Sequence, residues 1–239
     1  MVTRPRRLQP HRVRVREKST GRPHPSAHLA PRREPVQARA RKTVTLVLDA
    51  AAALLDEVGV EGFNTNVLAE RAGVRVRTVY RYFPNKLAVI TALAERLAAE
   101  WDGWFGGFRA LADPHTSWRA LWTAYIDAFV DGIRHASGGL AIRRAMRALP
   151  ELRVIDAQDN ERLARQLATA LSRRGLGPAG GRLATVARIM VETAVTVLDL
   201  ALLQPRAPAL ALIEELKCMQ LAYLEAALEQ HDRRRRRRG

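Results

Sequence analysis

Residues 63–86, FNTNVLAERAGVRVRTVYRYFPNK, carry two short helical patterns, Thr65–Ala72 and Val76–Phe83, on either side of Gly73. Glycine permits a tight backbone turn there, and Val74 plugs the angle between the helices, which is the helix-turn-helix design. Leu68, Ala69 and Ala72 are expected on the core side, with Val79 and Phe83 against them. Between Arg71 and Lys86 there are five basic residues and no acid, while Asp49, Asp56, Glu57, Glu61 and Glu70 supply the compensating charge nearby. One face of the domain is therefore expected to be positive, as contact with phosphates requires.

Outward from this stretch the helical spacing continues. Upstream, Val44, Leu48, Ala51, Ala52, Leu55 and Val58 recur with the helical period from Thr43, and Gly59 is a C-cap candidate. Downstream of Pro84-Asn85, the residues Leu87, Ile90, Leu93, Ala94, Leu97 and Trp101 form a longer stripe. Further helices are expected at about 116–136, 139–148, 151–173, 182–203 and 207–230, and no alternating strand stands out. The fold class is all-α: a three-helix helix-turn-helix domain over 41–88, then a helical ligand-binding and dimerisation bundle over 89–230.

Charge is unevenly spread. The 239 residues hold 40 Lys and Arg against 24 Asp and Glu, a net +16, yet residues 43–231 are neutral overall. The surplus lies in residues 1–42 and in the final Arg run, Arg233–Arg238. Six of the twelve prolines fall in the first 35 residues, so 1–40 reads as a disordered basic arm, and 231–239 reads as a basic Arg tail. The arm either reaches a neighbouring minor groove and phosphates or is a solvated leader, including one created by the choice of start site. A single Cys, Cys218, allows no internal disulfide and no zinc pattern. No metal or cofactor is expected. With no apolar run of 18 residues and no signal-type apolar segment, no membrane span is expected and the cytoplasm is the expected location. The six His are scattered, and no nucleophile elbow or phosphate loop is present, so the reading is not that of an enzyme.

Residues 43–90 closely resemble the TetR family of transcriptional repressors. Thr65, Leu68-Ala69, Ala72-Gly73-Val74, Thr78-Val79-Tyr80, Tyr82-Phe83 and Lys86 stand in register with that family's pattern. Arg75 and Arg77 depart from the Ser and Gly frequent at the start of the recognition helix, and Asn66 replaces a frequent hydroxyl residue. The resemblance implies that Val76–Tyr82 enters the major groove, whose base edges carry a readable donor and acceptor code. Arg75 and Arg77 are then the candidates for guanine, and Thr65, Thr78, Tyr80, Tyr82 and Lys86 for phosphate. Arg81 fits either role, and Val76 lies in the same DNA-binding set. Packing and solvation alone are the competing account of any one of these side chains.

Beyond the motif, eight of the 13 aromatic residues lie between Trp101 and Phe129. Trp101, Trp104, Phe105 and Phe108 form one helical stripe, and Trp118, Trp122, Tyr125 and Phe129 a second. They fit an aromatic-lined ligand cavity or ordinary core. Trp101, Trp104, Phe105, Trp118, Trp122, Tyr125, Phe129 and Arg147 form the candidate ligand set, with Asp127 a further polar handle. Arg143, Arg144 and Arg147 meet an anionic ligand or form a solvated helix face. The segments 182–203 and 207–230, apolar on several sides, fit an isologous homodimer or a monomeric core. Together these features describe a ligand-responsive repressor binding a palindromic double-stranded DNA operator as a dimer, released by a small apolar or aromatic effector. A non-specific basic nucleic-acid-binding or architectural protein is the alternative.

Overall fold

The helical periods fold where their spacing places them, as the computed structural model shows for residues 38–236. Nine α-helices occur among the described residues: α1 Ala38–Gly62, α2 Thr65–Arg71, α3 Val76–Tyr82, α4 Lys86–Phe105, α5 Trp118–His135, α6 Gly139–Ala148, α7 Pro150–Arg173, α8 Gly181–Leu202 and α9 Arg206–Arg236. Most of the expected arm, residues 1–37, and the last three residues of the tail lie outside the described residues. Two expected boundaries move. Residues 38–40 open α1 instead of ending the arm. At the other end α9 continues through the start of the Arg run, because arginine is a good helix former and Arg233 pairs with Glu229 one turn back at 2.9 Å.

Helices α1–α3 share a small core with the start of α4. Val47, Ala51 and Leu55 of α1 meet Leu68 of α2, Val79 of α3 and Phe83, all buried. Gly59, with φ 65, breaks α1 at the position expected of a cap. Asn64 caps α2 by accepting from the Asn66 backbone N–H at 2.7 Å, and Asn85 accepts from the Ala88 N–H at 2.8 Å to start α4. Between α2 and α3, Gly73 takes φ 63, the left-handed conformation that the sharp turn demands and that a β-carbon disfavours.

The body packs α4 against α1, α5 and α6, with α7, α8 and α9 completing it. At one joint the backbones leave no room for a side chain. Gly138, at φ 68, precedes α6, and a β-carbon there would lie 2.6 Å from the Ala52 carbonyl oxygen of α1. A 3-10 segment at Gly106–Ala112, beginning where Gly106 and Gly107 interrupt the helical pattern of the sequence, connects α4 towards α5 and packs on α7, α4 and α5.

Arg143 is a correction to both expected roles, since it neither faces solvent nor waits for a ligand. It is 3% exposed. Its guanidinium grips Asp199 of α8 through Nε–Oδ1 at 2.9 Å and Nη2–Oδ2 at 2.7 Å, and reaches Asp156 of α7 through Nη1–Oδ1 at 2.8 Å. A buried guanidinium requires such a bidentate pairing to offset its lost hydration. Helices α6, α7 and α8 are thereby tied at one point.

Candidate nucleic-acid interface and effector cavity

Seven residues of α3 give two turns, enough to divide the helix into an inner and an outer side. Val79 and Tyr82 point inward, while Arg75, Val76, Arg77, Tyr80 and Arg81 are exposed and Thr78 is half-buried. Tyr82, expected beside phosphate, has its ring in the core at 7% exposure. It follows Val79 by three residues and so shares that side of the helix. Of the remaining members, Arg75, Val76, Arg77, Tyr80 and Arg81 are exposed on or beside α3. Thr65 at the head of α2 and Tyr80 of α3 share a hydrogen bond of 3.0 Å between their hydroxyls, which joins the two helices at the surface. Lys86 is exposed, and its Nζ donates to the Val60 carbonyl at 3.5 Å.

Not every cation of the 71–86 stretch contributes to the surface field. Arg71 is offset by Glu57 at 2.5 Å. Among the described residues Arg75, Arg77 and Arg81 form no salt bridge, so three guanidiniums stand on the outer face of α3 without a local carboxylate. This arrangement can donate to phosphate oxygens and to guanine O6 and N7.

The second site lies inside the body. Trp122, Tyr125 and Phe129 of α5 line one cavity with Phe108, Leu163 of α7, and Val195 and Leu198 of α8. Its free volume is about 50 Å³, well below the ~300–1,000 Å³ of drug-sized sites. Phe108 stacks on Trp122 with ring centroids 6.1 Å apart and meets Tyr125 edge-on at 5.2 Å. The Trp122 N–H donates to Gln220 Oε1 at 2.7 Å. Gln220 in turn donates to the Met190 carbonyl at 2.7 Å and to Thr193 Oγ1 at 2.9 Å. Burial pushes the Tyr125 phenol above its ordinary pKa, so it stays neutral.

The rest of the expected ligand set divides. The side chains of Trp101, Trp104 and Phe105 lie outside what the structure describes. Trp118 sits apart from the cavity at the first turn of α5, with the Arg119 guanidinium 4.6 Å from its ring centroid. Arg147 is also elsewhere. It lies 3.4 Å from Asp199 and lines a separate cleft of about 490 Å³ between α6 and α8, with Arg144 and Leu200. Asp127 pairs with Lys217 of α9 at 2.7 Å. Two participants stand outside the candidate ligand set. Phe108 continues the Trp101 stripe but lies beyond the helix end. Gln220 stands one turn from Leu216 and Leu224 in the apolar stripe of α9, and a lone amide in such a stripe was the available signal.

The comparisons place this geometry among known proteins. Residues 47–93 match the model for bacterial regulatory proteins of the tetR family, and residues 117–224 match the tetracyclin repressor-like C-terminal domain. A TetR-family transcriptional regulator from Streptomyces coelicolor is similar in structure with a TM-score of 0.60 and 31% identity, over 77% of this chain and 99% of that one. The chain belongs to the TetR family of transcriptional regulators. Members of this family regulate transcription and are not enzymes. A further relative is the tetracycline repressor protein class A from transposon 1721 of Escherichia coli, 34% identical over 113 residues. That match covers 47% of this chain and 50% of the relative, so the chain spans half the length of that curated relative. The fold is also that of SmeT, the repressor of the Stenotrophomonas maltophilia multidrug efflux pump SmeDEF. There the TM-score is 0.57 and the identity 22%, over 80% of this chain and 91% of that one.

Proposed function

We propose that the protein is a cytoplasmic repressor that binds a palindromic DNA operator as a homodimer and is released by a small apolar or aromatic effector. The observation that carries this reading is the outer face of α3, where Arg75, Arg77 and Arg81 stand exposed without carboxylate partners beside Tyr80. Arg75 and Arg77 at the N-terminal end of α3 read guanine, and Thr65, Thr78, Tyr80 and Lys86 hold phosphate. Dimerisation uses α8 and α9, which expose Ile189, Leu200, Leu203, Leu210 and Met219. This is an apolar surface of the kind that a second copy covers. The two α3 helices of the dimer then address half-sites one DNA turn apart or a multiple of it.

Helix α4 links the two sites, since it starts at the reading head and ends at the 3-10 segment that carries Phe108. An effector favouring one angle of α4 changes operator affinity by a coupling energy of ~1–3 kcal/mol. The test is to select bound genomic fragments, then compete the best one against unrelated DNA while measuring the sedimentation mass. The expected result is a dimer that prefers its operator by ~10³ or more. Equal binding to unrelated DNA would instead identify a general nucleic-acid-coating protein, and a monomer mass at micromolar concentration would remove the dimer.

A further inference from the structure

Phe108 is the one non-glycine residue with positive φ among the described residues, at 59°. A β-carbon disfavours that conformation, so it persists only where surrounding contacts over-determine it. Those contacts are visible. The ring is 4% exposed, stacked on Trp122 and edge-on to Tyr125. The chain beyond it is tied down by Arg174, whose guanidinium donates to the carbonyls of Asp113 at 2.6 Å and Thr116 at 2.7 Å, and more weakly to those of Leu111 and Pro114. The chain before it passes through Gly106, at φ 51, and Gly103, each with open space where a β-carbon would stand. The segment is thus anchored on its far side, while the two glycines before it carry no side chain to be held by packing.

The ring also occupies the space that an effector needs. An apolar cavity of ~150 Å³ holds a benzene molecule, whereas about 50 Å³ remains beside Phe108. We propose that Phe108 is a tethered occupant of the effector cavity and that the effector is a small aromatic molecule, one ring or a fused pair, that takes its place against Trp122 and Tyr125. The proposal rests on the reading of the aromatic cavity as the effector site. The Trp122 N–H is already donated to Gln220, and apart from the Tyr125 phenol the rest of the lining is apolar, so a ligand with at most one polar group suits it. Expulsion frees Phe108 from its left-handed backbone and turns the 106–112 segment. That segment continues directly from α4, so the displacement reaches the helix that leads to α3.

A tethered occupant and an ordinary wall residue make opposite predictions. Removing a wall ring weakens an aromatic ligand. Removing an occupant strengthens it, because the ligand no longer competes with the protein's own ring. Indole serves as the probe, titrated calorimetrically into the wild-type protein, Phe108→Ala and Phe108→Gly. Both variants are expected to bind it at least about tenfold more tightly than wild type. Equal or weaker binding overturns the proposal. Should the variants fail to fold, hydrogen exchange in the wild-type protein decides the matter. Amides 106–112 are expected to exchange faster with saturating indole, and unchanged or slower exchange overturns the proposal. Binding of indole to neither wild type nor folded variants overturns it together with the reading of this cavity as the effector site. Operator binding by the unliganded wild-type protein judges the DNA-binding reading separately.

Discussion

On α3 the polar residues point away from the core: Arg75, Arg77, Tyr80 and Arg81 are exposed, and Val79 and Tyr82 fill the inner side. In the body the arrangement is reversed, with Arg143, Asp199, Trp122 and Gln220 buried. The difference separates two kinds of sensitivity. A substitution of an exposed arginine on α3 leaves the fold its packing, so its effect is expected on the proposed DNA contact alone. Within the body, any change of chemistry is also a change of core, so ligand response and stability are altered together.

The largest expected effect tests the inward half of this contrast. Arg143→Met leaves Asp156 buried without its cation and Asp199 with only the longer Arg147 contact at 3.4 Å, and should cost ~3–5 kcal/mol in urea unfolding. A loss below ~1 kcal/mol would show that the body tolerates an unpaired buried charge and would break the contrast. Next is Arg77→Ala, expected to weaken the selected operator by ~1–3 kcal/mol in anisotropy titrations. Its urea midpoint should stay within ~0.5 kcal/mol of wild type. If it unfolds more easily instead, the outer face is structural. Gln220→Leu deprives the Trp122 N–H of its acceptor and should lower thermal stability by ~1–3 kcal/mol.

The smallest effect concerns Glu95 on α4. Burial first, then the nearby Asp159 carboxylate, holds its carboxyl above the usual range. The folded chain therefore binds this proton more tightly than the unfolded chain, and the ionised form costs stability at neutral pH. That cost is lifted as pH falls through the folded pKa and then the unfolded one. Glu95→Gln should stabilise the fold slightly at pH 7, by well under ~1 kcal/mol for a group only partly withdrawn from water, read as a small rise in melting temperature. The gain should vanish in acid.

Much of the fold was legible because helical signals are local. Apolar spacing in α5 to α9 placed the helix ends within two residues, except where α9 runs on into the arginines. The pattern from Thr65 to Lys86 located the helix-turn-helix unit, since turn, aromatic and basic positions are all fixed within 22 residues. What escaped depends on partners distant in sequence. Arg143 looked like a surface residue because Asp199, 56 positions away, decides its burial. Tyr82 looked like a phosphate anchor because a tyrosine on a short helix suits either side. The inward turn of Phe108 needs a left-handed backbone angle that no side-chain pattern announces, although Gly106 and Gly107 marked the place where the helical geometry ends. Helical spacing alone joins Trp118 to the cavity and charge alone joins Arg147 to it, whereas Trp118 sits at the first turn of α5 beside Arg119 and Arg147 lines the cleft between α6 and α8.

At Gly138 the two halves of the molecule meet without upholstery. Most helix contacts are cushioned by side chains, and part of any imposed rotation is absorbed there as rotamers change. Here a β-carbon would stand 2.6 Å from the Ala52 carbonyl oxygen, so a side chain at position 138 has nowhere to go. Any residue but glycine there acts as a wedge that prises α6 away from the helix behind the helix-turn-helix unit.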